Sequence, residues 1–141
     1  MADEMIIDAL RYSLRSAIKN FSVHPTLIPI PHSKKALRKR GRNFVEEIAS
    51  QIATQENLPI RPVIGHNRKV RDQSRLDAHS RRGNLSGSMS VVRPSARPCE
   101  VFLIDDLITT GATLGEAVRT LEIGGFHVLA AVTAFVALPL R

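Results

Sequence analysis

The sequence predicts an α/β protein with a mainly parallel central sheet, helices on both sides and one long flexible loop. The last third of the chain reads as strand, helix and strand with tight connections, which is typical of a parallel βαβ unit. Two amphipathic helical segments precede that unit, and residues 65–88 follow no sustained period. With 141 residues, the chain fits one domain over 1–141.

The first segment predicts an amphipathic helix from about residue 3 to residue 20, because apolar residues recur there at helical spacing. Leu27–Ile30 is short and prone to form a strand. Pro29 has no N–H to donate to a central ladder, so we expect the paired part of this strand to end near Ile28.

A second helix is predicted to start at Asn43. Asn43 and Glu46 have the spacing of a capping box, and apolar residues line one face of the segment that follows. This helix should end before Pro59. Residues 65–88 then hold Gly, Ser, Asn and Arg, and so long a loop in a small domain is usually functional or disordered.

The last third begins with a strand predicted for Val101–Ile104, whose continuous apolar run is typical of a strand covered on both faces. Thr113 and Glu116 have capping-box spacing and predict the start of the next helix. Gly124 and Gly125 should end that helix. Val128–Val136 reads as another buried strand.

Composition excludes several classes of protein. The longest apolar stretch, Val128–Leu138, is far shorter than the roughly 20 residues that a membrane span needs. Acidic residues at the N-terminus argue against an export signal, so we expect a cytoplasmic protein without membrane contact. The single cysteine, Cys99, excludes an internal disulfide.

The net charge of +7, from 20 Lys and Arg against 13 Asp and Glu, is concentrated in two clusters. The first cluster is Lys34, Lys35, Arg38, Lys39, Arg40 and Arg42; the second is Arg61, Arg68, Lys69, Arg71, Arg75, Arg81, Arg82, Arg93 and Arg97. Such clusters attract a nucleic acid backbone or a phosphorylated small molecule, although each could equally be a solvated face.

The residues from Asp105 to Thr113 form the predicted chemical centre. Two adjacent carboxylates, Asp105 and Asp106, can accept hydrogen bonds from the two hydroxyls of a ribose. The Thr-Thr-Gly-Ala-Thr turn over residues 109–113 offers three hydroxyls at the N-terminus of a helix, which suits a phosphate group. Diol and phosphate together indicate a ribose 5-phosphate. Thr113 could also serve only as an N-cap, and the absence of G-x-x-x-x-G-K-[ST] and G-x-G-x-x-G disfavours P-loop and dinucleotide sites.

Val101–Thr113, VFLIDDLITTGAT, resembles the motif with which type I phosphoribosyltransferases bind phosphoribosyl pyrophosphate (PRPP). Two further segments are similar to the ComF family within that group. Pro29–Phe44 resembles its P-x-P…R-G-F-N-Q segment, with Arg42 and Phe44 in place of the usual Phe and Gln. Arg68–Met89 resembles its R-x-x-x-x-Q-x-x-L…R-x-x-N segment. The four-cysteine zinc module found in many ComF-like proteins has no counterpart in this sequence.

The resemblance implies a type I phosphoribosyltransferase-like core with roles for specific residues. Asp105 and Asp106 would hold the ribose hydroxyls, and Arg68 would join them in catalysis. The 5-phosphate would be bound by Thr109, Thr110, Gly111, Ala112 and Thr113. Pyrophosphate would be bound by His32, Ser33 and Lys34, with Arg71, Gln73 and Arg81 on the flexible loop. Residues 1–22 would form a minimal hood over the site.

The cofactor implied is Mg²⁺, held mainly through the substrate and by no protein metal site. His32 is a candidate general base or pyrophosphate contact, or an ordinary loop histidine. Arg68 and Arg71 either reach pyrophosphate or are solvated.

Two classes of function follow. The first is a phosphoribosyltransferase that uses PRPP and transfers its sugar to a base or an amine. The alternative is a catalytically weak nucleotide- or PRPP-sensing module, or one associated with nucleic acid, of the competence type. A third interpretation is a homodimer formed through the apolar face of the N-terminal helix, at Leu10 and Leu14.

Overall fold

The computed structural model describes residues 2–31, 43–66, 87–92, 99–108 and 111–136. The helices are α1 (Ala2–Phe21), α2 (Phe44–Glu56) and α3 (Ala112–Ile123). The strands are β1 (Thr26–Pro29), β2 (Ile64–His66), β3 (Met89–Val91), β4 (Glu100–Ile108) and β5 (His127–Val136). The predicted order of elements is therefore confirmed, with β2 and β3 as additions that periodicity did not predict.

The central sheet has the order β1-β4-β5, and both pairs of neighbours are parallel. The β4–β5 pairing contains a shift of register: Val101 pairs with Val128 but Phe102 pairs with Ala130, so Leu129 is an extra residue in β5. This arrangement brings the carboxyl ends of the three strands to one edge of the sheet, the edge at which open α/β sheets bind ligands.

The expectation that β1 pairing ends near Ile28 is wrong. Pro29 pairs with Ile104, and the N–H of Ile30 still donates to the Ile104 carbonyl at 2.9 Å. The N–H of Leu27 points the other way, to the Pro59 carbonyl at 2.8 Å. Because N–H groups alternate in direction along a strand, the nitrogen of Pro29 faces away from β4, where its missing hydrogen removes no bond of the ladder.

Helices α1 and α2 cover one face of the sheet. Their apolar residues form a core with Leu27, Phe102 and Ile104 of the sheet, and Leu10 and Leu14 are 1% and 0% exposed. The face of α1 considered for a homodimer is thus buried within the chain. At the rim, the Glu56 carboxylate accepts hydrogen bonds from Arg11 at 2.8 Å and Arg15 at 2.9 Å.

The predicted start of α2 at Asn43 is confirmed, with a side-chain bond in place of one backbone bond of the capping box. Asn43 is the N-cap, and its side chain accepts a hydrogen bond from the N–H of Glu46. The Asn43 amide in turn donates to the Glu46 carboxylate at 2.6 Å. The helix ends at Glu56, followed by Asn57 in the left-handed region, so it stops before Pro59 as predicted.

Helix α3 and the β2–β3 ribbon cover the other face. The ribbon is an antiparallel pair in which Ile64 lies opposite Val91 and His66 opposite Met89. Val63, Ile64 and Met89 pack with Leu103 and Leu121 in a second apolar core.

The ribbon also corrects the bounds of the predicted loop 65–88. Gly65 and His66 belong to β2, and Ser88 is buried directly before β3. Residues 67–86, which carry most of that loop, lie outside the described part of the chain.

The predicted start of α3 is also wrong in detail. The helix begins at Ala112 with Gly111 as its N-cap, one turn before Glu116, so Thr113 lies inside the first turn and is no N-cap. Glu116 is instead buried, with 5% of its surface exposed. Gly125, with φ +90°, supplies the left-handed residue expected after the helix.

Candidate functional site at the end of strand β4

The two predicted carboxylates lie at the carboxyl-terminal part of β4. The sequence predicts a strand over Val101–Ile104, with both aspartates after its apolar run. In the structure β4 continues to Ile108, so Asp105 and Asp106 lie within the strand. Both side chains are half-buried, and neither belongs to the two apolar cores. The Asp105 carboxylate accepts a hydrogen bond from its neighbour's backbone, the N–H of Asp106, at 2.9 Å.

The two aspartates are on opposite faces of the sheet. Side chains alternate along a strand; Leu103 belongs to the core under α3, and Ile104 to the core under α1 and α2. The same alternation assigns Asp105 to the α3 face and Asp106 to the α1–α2 face. A diol that bonded both carboxylates would have to lie across the end of β4, with one hydroxyl on each face of the sheet.

Strand β5 contributes a residue that the sequence analysis did not single out. Thr133 pairs with Asp105 across the two strands, and its hydroxyl donates to the Asp106 carbonyl at 3.2 Å. A polar residue in the apolar run Val128–Val136 was the only available signal in the sequence.

Helix α3 begins at Ala112, four residues after Ile108, the last residue of β4. Gly111 has φ +79° and ψ −1°, a conformation that L side chains rarely adopt, and it supplies no side-chain acceptor to the helix. The first intrahelical bond runs from the N–H of Gly115 to the Gly111 carbonyl at 2.8 Å. A helix N-terminus carries partial positive charge and N–H groups that suit an anion. Ala112 and Thr113 are in this first turn and are half-buried.

Five of the predicted residues lie in the described part of the chain, at the end of β4 and the start of α3, namely Asp105, Asp106, Gly111, Ala112 and Thr113. The others lie outside the described residues: Thr109 and Thr110 of the turn, His32, Ser33 and Lys34 for pyrophosphate, and Arg68, Arg71, Gln73 and Arg81 of the loop. The first basic cluster lies wholly outside the described residues, as does the second apart from Arg61.

Glu116 is the residue near this site whose role the sequence misrepresented. Its carboxylate accepts hydrogen bonds from the N–H groups of Gly87 at 2.9 Å and Met89 at 3.4 Å, and it pairs with Arg119. The bond from Arg119 is the main reason that the pKa of Glu116 is lowered, against the opposing effect of burial. The signal in the sequence was that Glu116, a charged residue, directly precedes Ala117, which belongs to the apolar stripe of α3. Such a position favours a buried carboxylate with hydrogen-bond partners.

Neither a metal site of three or more ligands nor a membrane-spanning helix is found among the described residues. No group of three or more His, Cys, Asp or Glu side chains among them is arranged to hold a metal ion. Nor does any helix in the described ranges have the length and apolarity to cross a membrane.

The fold is shared with phosphoribosyltransferases. The structure matches the crystal structure of orotate phosphoribosyltransferase from Aeropyrum pernix with a TM-score of 0.54, at 15% sequence identity, over 92% of this chain and 68% of that one. At that identity the match establishes the fold, and the protein has the type I phosphoribosyltransferase-like architecture that the sequence predicted.

The sequence comparison finds a relative of higher sequence identity than the structural match. Over 99 residues, 68% of this chain, the protein is 31% identical to Competence protein F of Haemophilus influenzae, and it covers 43% of that relative. No family model matches the sequence. The chain has a ComF-type phosphoribosyltransferase-like core and spans less than half the length of the curated relative.

Proposed function

We propose that the protein binds PRPP with Mg²⁺ and transfers the phosphoribosyl group to a base or an amine, with release of pyrophosphate. One observation carries the proposal. Two half-buried carboxylates and a helix N-terminus that begins at a left-handed glycine follow one another at the carboxyl end of β4. This is the edge at which a sheet of this topology binds its ligand.

The described residues suit the sugar half of PRPP. The carboxylates of Asp105 and Asp106 can accept hydrogen bonds from the two ribose hydroxyls, one from each side of the sheet's end. The first turn of α3, from Gly111 to Thr113, would bind the 5-phosphate through its backbone N–H groups. Thr109 and Thr110 would complete this phosphate site.

The pyrophosphate half is assigned by resemblance alone. His32, Ser33 and Lys34 would contact it, and Arg68 and Arg71 would add positive charge as the C1–O bond breaks and the C1–N bond to the acceptor forms. The acceptor loses a proton in the same reaction. Cations near the leaving group stabilise the negative charge that develops on it.

The magnesium ion would be held mainly through PRPP oxygens, and the carboxylate of either Asp105 or Asp106 offers the kind of oxygen ligand that Mg²⁺ prefers. When bound, the ion would neutralise charge on the leaving pyrophosphate. The remaining requirements of the reaction fall on the chain itself, which must orient the ribose and exclude water from C1.

Calorimetry of PRPP with Mg²⁺ tests the binding step. The double variant Asp105→Asn/Asp106→Asn should lose affinity by about a hundredfold or more, because each carboxylate gives up a charge-assisted hydrogen bond to a hydroxyl. The variant Glu100→Gln/Glu122→Gln is the matched control: it removes two negative charges from exposed residues at the first position of β4 and near the end of α3, away from the site, and should bind as the native chain does. Equal affinities of the native chain and the aspartate variant would refute the assignment.

A binding module without turnover is the second candidate, favoured by the name of the relative, which refers to competence and to no reaction. Release of pyrophosphate from PRPP, measured with a panel of bases and amines, separates the two. Binding of PRPP without release for any acceptor supports sensing. Association with nucleic acid would instead show affinity that falls steeply as salt rises.

A further inference from the structure

The buried carboxylate of Glu116 joins α3 to the β2–β3 ribbon. It accepts hydrogen bonds from the N–H groups of Gly87, at 2.9 Å, and Met89, at 3.4 Å, which lie just before β3 and at its first residue. One turn further along α3, the Thr120 hydroxyl lies 3.4 Å from the Met89 carbonyl. Side chains of α3 thus form hydrogen bonds with backbone groups of Gly87 and Met89, in the place where another strand could have paired with them.

This junction is close in sequence to the predicted phosphate site. Glu116 is one helical turn after Ala112, the first residue of α3. An α-helix is stiff over so short a distance, so Glu116 and the N-terminus of α3 move as one body. If the Gly87–Met89 segment shifts relative to Glu116, it also shifts relative to the N-terminus of α3.

The other strand of the ribbon is tied to a different segment. The Nε2 atom of His66, at the end of β2, lies 3.0 Å from the Pro31 carbonyl. A carbonyl only accepts, so Nε2 carries the hydrogen of this bond. Pro31 directly precedes the residues assigned to pyrophosphate, His32, Ser33 and Lys34.

We propose that Glu116 is a positioning residue for the phosphoribosyl site, which fixes the β2–β3 ribbon against α3 and thereby sets the spacing between the 5-phosphate end of α3 and Pro31. The inference rests on the proposed function, which assigns the 5-phosphate to the first turn of α3 and pyrophosphate to the residues that follow Pro31 in the sequence. Arg119 keeps the buried carboxylate charged through two bonds, from Nε at 2.9 Å and from a terminal nitrogen at 2.5 Å.

The chain offers a matched control for a purely structural ion pair. Glu56 is a partly buried carboxylate held by Arg11 and Arg15, but it lies on α2, on the opposite face of the sheet. Methionine at either position preserves side-chain length and removes the acceptor, while glutamine preserves an acceptor oxygen and removes the charge.

The experiment compares Glu116→Met, Glu116→Gln, Glu56→Met and Glu56→Gln with the native chain. Calorimetry measures the affinity for PRPP with Mg²⁺, and thermal unfolding measures stability. We expect Glu116→Met to weaken PRPP binding by about tenfold or more, since a misplacement of about 1 Å at a site can cost a hundredfold. Glu116→Gln should recover part of that loss, and both Glu56 variants should lower stability without a change in affinity.

Amide resonances give a second readout, whose first part uses the native chain alone. Titration of the native chain with ribose 5-phosphate should shift the N–H signals of Gly87 and Met89 together with those of Ala112 and Thr113. In Glu116→Gln the response of Gly87 and Met89 should be reduced.

The outcomes separate the two proposals. If the native chain binds PRPP and the Glu116 variants bind it equally well, the positioning role is refuted and the proposed function stands. If the native chain shows neither heat nor resonance shifts with either ligand, both proposals are refuted. Equal weakening by the Glu56 and Glu116 variants would also refute the positioning role, because it would indicate a general loss of stability.

Discussion

The two faces of the central sheet differ in what they bury. The face under α1 and α2 has an apolar core, and its main polar contact, between Glu56 and two arginines, lies at the rim. The face under α3 and the ribbon includes the buried polar side chains of the described residues, namely Thr26, Ser88, Glu116 and Thr120.

Apolar contacts and hydrogen bonds restrict a structure in different ways. Burial of apolar surface is roughly proportional to area and has no direction, so it stabilises a fold without specifying fine spacing. A buried hydrogen bond fixes a distance and an angle, and an unpaired buried group is costly. Both faces therefore gain stability from an apolar core, and the α3 face adds buried hydrogen bonds that define its geometry.

The largest expected effect is on the α1–α2 face. Leu14 is fully buried, and Leu14→Ala should lower the free energy of unfolding by about 2–5 kcal/mol through lost burial and a cavity. Urea denaturation measures this change. Tyr12→Ala, on the same helix at 80% exposure, should stay within about 0.5 kcal/mol of the native chain. A similar loss for both variants would show that α1 is not part of the core.

Gly111→Ala tests the geometry at the N-terminus of α3. An added Cβ meets nothing within 4 Å, so the cost arises from φ +79° alone and should be about 1–2 kcal/mol in thermal or chemical unfolding. Gly111→Asn should cost less, because asparagine adopts left-handed conformations more readily. If both substitutions are neutral, the left-handed conformation at this position is not required.

Thr120→Val tests the hydrogen bonds of the α3 face. The Thr120 hydroxyl bonds the Glu116 carbonyl at 2.8 Å and lies near the Met89 carbonyl, so its removal should cost about 1 kcal/mol in urea denaturation. Thr54→Val is the control: Thr54 makes the same contact within α2, with the Ser50 carbonyl at 3.1 Å, but is exposed. Equal effects would mean that burial of the α3 network adds nothing.

The smallest expected effect is the pH dependence of the Glu56 cluster. Burial alone would raise the pKa of Glu56, but the hydrogen bonds and charges of Arg11 and Arg15 together lower it. A lowered pKa means that the ionised group stabilises the fold near neutral pH and loses this contribution as pH falls below 4.5, the ordinary value for Glu, and through the lowered pKa. Glu56→Gln should therefore cost less than about 1 kcal/mol at pH 7, and this cost should shrink as acid protonates the carboxylate. A cost that stays the same as the pH is lowered would contradict the ion-pair explanation.

Long, strongly patterned elements were predictable from the sequence. β4 and β5 carry continuous apolar runs, and α1 and α2 carry apolar stripes. These surfaces are removed from water when the helices pack on the sheet. Asn43 identified the start of α2 because its capping contact lies within four residues of chain.

Contacts between distant residues account for the differences. The strands β2 and β3 have three residues each, too few for a period to be recognised, and they form by pairing with one another. Glu116 fits a capping box by spacing with Thr113, yet its partners are Gly87 and Met89, about 30 residues earlier in the chain. The carboxylates Asp105 and Asp106 were found from local spacing, but their assignment to opposite faces depends on where β4 actually ends.

The extra residue in β5 has a consequence for how such chains tolerate changes in length. Leu129 is skipped where Val101–Val128 gives way to Phe102–Ala130, and every later pair, through Asp105–Thr133 to Ile108–Val136, keeps one constant offset. A deletion of Leu129 could preserve all of those later pairs. Single-residue gaps between homologues should therefore be tolerated at this point, upstream of the carboxylates, and not between Val132 and Val136.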